Sequence, residues 1–67
     1  MEQDIEKGIA LLTECADSGD VIASYRLGKI YLQGEIMSQN LDKAERYLLL
    51  ATDNEYAQYA LAKLYLQ

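Results

Sequence analysis

The stretch Ala23-Ser24-Tyr25-Arg26-Leu27-Gly28-Lys29-Ile30-Tyr31-Leu32-Gln33 returns as Ala57-Gln58-Tyr59-Ala60-Leu61-Ala62-Lys63-Leu64-Tyr65-Leu66-Gln67, at a constant offset of 34 residues. Within the first copy Ala23, Leu27, Ile30 and Tyr31 recur at spacings of three and four, the period of one face of an α-helix. The residues preceding each copy also correspond, at an offset of 36: Lys7-Gly8 with Lys43-Ala44, Leu11-Leu12 with Tyr47-Leu48, and Cys15 with Ala51. The difference of two falls in a turn, Asp53-Asn54-Glu55 being shorter than Asp17-Ser18-Gly19-Asp20, with Asn54 expected in the place of Gly19. A period of this length with two helices per unit predicts a helical solenoid, in which each helix pair buries its apolar side against the next.

Working outward from the repeat, the chain has no proline, and its glycines and Asp/Asn clusters divide it into four stretches of helical length. The first runs from about Asp4 to Ser18 with Ile5, Ile9, Leu12 and Ala16 on one face, and Gly19 suits the left-handed residue that ends it. Asp20 is the expected cap of the second, which reaches Gln33 before Gly34 turns the chain. After the loop Glu35-Ile36-Met37-Ser38-Gln39, Asn40 caps a third helix carrying Leu41, Ala44, Leu48 and Ala51, with Asp42 favourably placed in its first turn. Asp53-Asn54 closes the third helix and opens a fourth through Ala57, Ala60, Leu61, Leu64 and Tyr65. No stretch alternates strictly between apolar and polar residues over a strand length, so the fold class is all-α.

With 67 residues the chain makes at most one small domain, burying only about 60% of the surface its unfolded form exposes. Phe and Trp are absent, so core volume must come from Leu, Ile, Ala and six tyrosines. Eleven acidic against six basic residues give a net charge of −5, which repels phosphate backbones and anionic lipid headgroups and argues against nucleic-acid or membrane partners. Met1-Glu2-Gln3-Asp4 lacks the basic start of a secretory signal, and no apolar run approaches the roughly 20 residues of a membrane span. The expected location is cytoplasmic. A single cysteine and no histidine offer no zinc ligand set, and the apolar, acidic setting of Cys15 is that of a buried structural thiol.

These residues resemble the Sel-one-like repeats, a variant of the tetratricopeptide-like helical hairpins with a longer loop in each unit. The resemblance rests on Ala23, Leu27, Gly28, Tyr31, Gly34, Lys43, Ala44, Tyr47 and Ala51 and covers nearly the whole chain. Departures are Ile36 for the second loop glycine, Met37-Ser38 for the usual Val-Pro, and Ala62 where Gly28 has its counterpart. The Tyr-Ala-Gln-Tyr and Lys-Leu-Tyr-Leu stretches also resemble repeat tails of bacterial plasmid-mobilisation relaxases. The resemblance implies antiparallel helical hairpins stacked as an α/α solenoid of four helices. Residues 4–18 are then the second helix of a preceding unit, 21–53 a complete helix-loop-helix unit and 55–67 the first helix of a following one. On that division the chain is expected to be a piece of a longer repeat protein.

The resemblance implies a non-catalytic scaffold that binds a peptide or partner protein on its concave face. Its groove-facing positions fall on Ile22, Tyr25, Lys29, Leu32 and Gln33, and on Tyr56, Tyr59, Lys63, Leu66 and Gln67. Stacked units would set Tyr25 beside Tyr59 and Lys29 beside Lys63, a ladder of phenols and ammonium groups suited to an acidic ligand. The bland alternative packs Tyr25 and Tyr59 between helices and leaves both lysines solvated. Tyr31, Tyr47 and Tyr65 fall at positions the family fills with aromatic core residues, and Gly28, Ala44 and Ala51 allow close helix approach.

Catalysis has little to work with: there is no His, no nucleophile beside a base and no phosphate-binding glycine loop, and no cofactor is expected. The carboxylate pairs Glu14/Asp17 and Asp42/Glu45 read as solvated helix surface. A second class of function is self-association through the terminal helices, with part of the Ala60, Leu61, Leu64 and Tyr65 surface left bare for a partner copy.

Overall fold

Regularly spaced apolar residues and side-chain caps give four helices in succession: α1 (Glu2–Asp17), α2 (Val21–Gln33), α3 (Leu41–Leu49) and α4 (Glu55–Tyr65). The structure is a computed structural model that describes residues 2–34 and 37–66, with side chains from Ile5 onward. Among the described residues there is no strand. Ile36 and Gln67, both singled out in the sequence, lie outside the described residues.

The expected caps are in place. Asp20 accepts from the Ala23 amide at 3.1 Å, Asn40 from Lys43 at 3.0 Å and Asn54 from Tyr56 at 2.7 Å, each satisfying a backbone donor that the first helical turn leaves without a partner. Gly19 (φ 98°) and Gly34 (φ 69°) adopt the left-handed conformation that ends α1 and α2. Asn54 does not take the place of Gly19: its φ is −96°, and no residue other than glycine has positive φ among the described residues. The connection from α3 to α4 is instead a run of tight turns over 50–53, so α3 stops at Leu49.

α2 packs most extensively on α3, and also on α1 and α4, while α3 packs on α4. The α2–α3 contact is close because Gly28 has no side chain. A Cβ there would lie 2.5 Å from Leu48 Cγ and 3.2 Å from the Ala44 carbonyl oxygen. Leu27 and Leu48 are fully buried, each contributing about 1.5–3 kcal/mol, with Ala44, Ala51 and Ala57 filling the narrow spaces between helices. Tyr31 and Tyr47 stack with ring centroids 6.0 Å apart, and Lys43 Nζ stands 5.4 Å from the Tyr31 centroid in a cation–π contact.

Three expectations about burial are corrected. Cys15 is exposed. The inward face of α1 is the Ile9, Leu12 and Ala16 stripe, and one residue's rotation of roughly 100° carries Cys15 off it. Tyr65 is 61% exposed although its repeat counterpart Tyr31 is buried, because no helix covers that side of α4 as α3 covers α2. Conversely Ala60, Leu61 and Leu64 are buried, having turned toward α2 and α3, so they offer no bare surface.

Candidate functional site

Two stripes at helical spacing face each other across the first and second repeats. On α2 they are Tyr25, Lys29, Leu32 and Gln33, and on α4 Tyr56, Tyr59, Ala60 and Lys63; with Gln39 they enclose an open concavity of about 530 Å³. The spacings of four, seven and eight on α2 and of three, four and seven on α4 put each set on one side of its helix. Direct packing of α2 on α4 then brings the sides together.

Five of the six anticipated binding residues therefore line one concavity: Tyr25, Lys29, Tyr56, Tyr59 and Lys63. Ile22 does not join them. It is 58% exposed at the start of α2, away from the lining. Leu66, also expected in the groove, is exposed beyond the last turn of α4 and lies outside the lining. The tyrosine pairing is shifted as well. The ring packed against Tyr25 is Tyr56, at 6.1 Å between centroids and tilted by 39°, one turn earlier on α4 than the equivalent Tyr59. Parallel helices staggered along their axes do not place equivalent residues side by side. Tyr59 is instead 73% exposed, so it does not pack between helices, whereas Tyr25 is half-buried against the core.

Two lining residues escaped the sequence reading. Ala60 completes the α4 stripe and was legible from its spacing to Tyr56 and Lys63. Gln39 sits in the loop before α3, where no periodicity operates; its Nε2 donates to the Leu32 carbonyl at 2.8 Å. The Asn40 amide donates to the Tyr31 carbonyl at 3.0 Å, so the loop is tied over the C-terminal turn of α2 and closes one end of the concavity.

The electrostatics are one-sided. Lys29 and Lys63 are exposed, no carboxylate lines the concavity, and neither lysine forms an ion pair among the described residues. Cys15 occupies a separate shallow depression lined by Glu14, Ser18, Gly19 and Asp20, with no cation in the lining. Among the described residues no cluster of His, Cys, Asp or Glu could hold a metal ion, and no helix is long and apolar enough to cross a membrane.

Comparison with known proteins agrees with the helical repeat. The family model for the Sel1 repeat matches residues 1–20, 21–56 and 55–67. No match was found among curated proteins or among solved structures. Sel1 repeats are in general non-catalytic modules that mediate protein–protein interaction. Since the three matches together run the length of the chain and the helices repeat as helical pairs, the chain belongs to the Sel1 repeat family.

Proposed function

We propose that this chain is a protein-interaction module whose α2–α4 concavity receives an acidic segment of a partner protein. The observation that carries the reading is the charge distribution. On a chain of net charge −5, the concavity is lined by two lysines and no carboxylate. Three tyrosines beside them supply broad, rigid contact area at low entropic cost, as at many protein interfaces. In this reading residues 21–53 form the complete unit, 4–18 belong to the preceding one and 55–67 begin the next, so the groove spans the first helices of two units. The same negative net charge argues against nucleic acid and anionic membranes as the ligand.

The test is fluorescence anisotropy with a labelled Glu/Leu-rich peptide and its Lys/Leu-rich counterpart. The acidic peptide is expected to bind and the basic one not. Exposed ion pairs contribute about 0.2–1 kcal/mol each, so Lys29→Ala with Lys63→Ala should weaken binding by about twofold to thirtyfold, and Lys29→Glu with Lys63→Glu should abolish it. Equal binding of both peptides, or affinity unchanged in the charge-reversed variant, refutes an acidic ligand.

A further inference from the structure

The walls of the concavity share one rhythm. On α2 the lining residues Tyr25, Lys29 and Leu32 follow at steps of four and three, and on α4 Tyr56, Ala60 and Lys63 do the same. The ring contact between Tyr25 and Tyr56 brings the two series into step. Carried along both helices, it makes three rungs: Tyr25 with Tyr56, Lys29 with Ala60, and Leu32 with Lys63. The second and third rungs each set a lysine across from an apolar residue, and the lysine changes sides between them. Leu32 and Ala60 are buried, whereas both lysines are exposed, so an apolar floor is bordered by a cation on each side.

We propose that the acidic segment received here is an α-helix, with an apolar stripe laid on Leu32, Ala60 and the Tyr25–Tyr56 pair and carboxylates on both edges of that stripe. This deepens the reading of the concavity as a site for an acidic partner segment, and rests on it. The first argument is period. With a rise of 1.5 Å per residue, the rungs follow at about 6 and about 4.5 Å, and the apolar stripe of a partner helix recurs at the same steps of three and four residues. An extended segment repeats one face every 6.6–6.8 Å or so, and two such steps reach about 13 Å, against about 10.5 Å from the first rung to the third.

The second argument is hydrogen bonding. Both walls are helices, whose interior amides and carbonyls bond within the helix, so they offer no strand edge to the backbone of an extended ligand. In the closing loop, the Gln39 amide already donates to the Leu32 carbonyl. A helical ligand satisfies its own backbone and asks the walls only for side-chain contact. The third argument is charge: carboxylates on both edges of the stripe meet Lys29 on the α2 side and Lys63 on the α4 side.

The test pairs the 67-residue chain with two Glu/Leu peptides of about 15 residues, a length at which a free helix is marginal. One has leucines at steps of three and four. The other differs by one proline, placed centrally on the Glu-rich side, where it removes no apolar contact but breaks the helix. Binding is read by fluorescence anisotropy, and helicity by circular dichroism of the mixture against the sum of its parts. The first peptide should bind with a gain in helix signal, and the proline should weaken binding about a hundredfold. A proline peptide that binds as tightly as the first, or binding without a gain in helix signal, overturns the helical ligand while the acidic reading stands. Failure of both acidic peptides to bind, or equal binding of a Lys/Leu helix, overturns the acidic reading and this inference with it.

Discussion

Gly28 is the residue on which the α2–α3 contact turns, and its counterpart Ala62 marks where the repeat relaxes that demand. Gly28→Ala brings a methyl to 2.5 Å from Leu48 Cγ, so the leucine must shift or the helices part. The expected cost is about 1–3 kcal/mol in urea unfolding. Leu48→Ala, which empties a fully buried site, is expected to cost about 2–5 kcal/mol. Tyr65 answers to charge. Hydrogen bonding to the Glu45 carboxylate, then burial and the carboxylate's charge, raise the phenol pKa above its ordinary value. A phenol whose folded pKa is raised stabilises the fold fully below the unfolded value of about 10 and loses that contribution as pH rises through the folded pKa. Ultraviolet titration should therefore find a late phenol that Glu45→Gln brings to lower pH; a titration curve that Glu45→Gln leaves unchanged would contradict the contact.

Among the elements, helix ends separate two demands that sequence merges. Gly19 and Gly34 both sit at positive φ, where an L-residue costs roughly 1–2 kcal/mol. A Cβ at Gly19 meets nothing within 4 Å, while one at Gly34 lies 2.8 Å from Gln39 Cβ and 3.1 Å from its amide nitrogen. Gly34→Ala should thus destabilise more than Gly19→Ala, and should also disturb the loop that closes the groove; equal losses would mean that the loop gives way freely. Asn40→Ala removes a cap from the short helix α3 and should cost about 1 kcal/mol in the same unfolding assay. The difference between the two inter-repeat turns has the same origin. A left-handed glycine closes α1, whereas α3 ends early and winds through turns to the cap at Asn54.

At the scale of the whole molecule, stability in a repeat array is the sum of unit terms and nearest-neighbour interfaces, and this chain has few of the latter. α4 packs on both α2 and α3, so its contacts with them are a large share of that sum. Leu61→Ala, which empties a buried position of α4, should therefore destabilise the whole chain by about 2–5 kcal/mol in a thermal melt followed by circular dichroism. A partial early loss of helix signal with the main transition unmoved would mean that α4 melts apart from the other helices.

Helical spacing with the Asp, Asn and Gly punctuation was sufficient for the helices, their caps at Asp20 and Asn40 and the left-handed glycines, and the 34-residue echo of Ala23–Gln33 in Ala57–Gln67 for the repeat architecture. All of these follow from interactions within one or two turns of the chain, which spacing and residue type encode directly. The stripes that became the groove were legible for the same reason, with Ala60 recoverable and Gln39 not. What the tertiary structure alone decided was which side of each helix has a neighbour. The repeat makes Tyr65 the equal of Tyr31 and Cys15 the equal of Ala51, yet one of each pair is exposed and the other buried. Burial is a property of the helix packed opposite, and two helices of identical pattern differ in it when only one of them is covered.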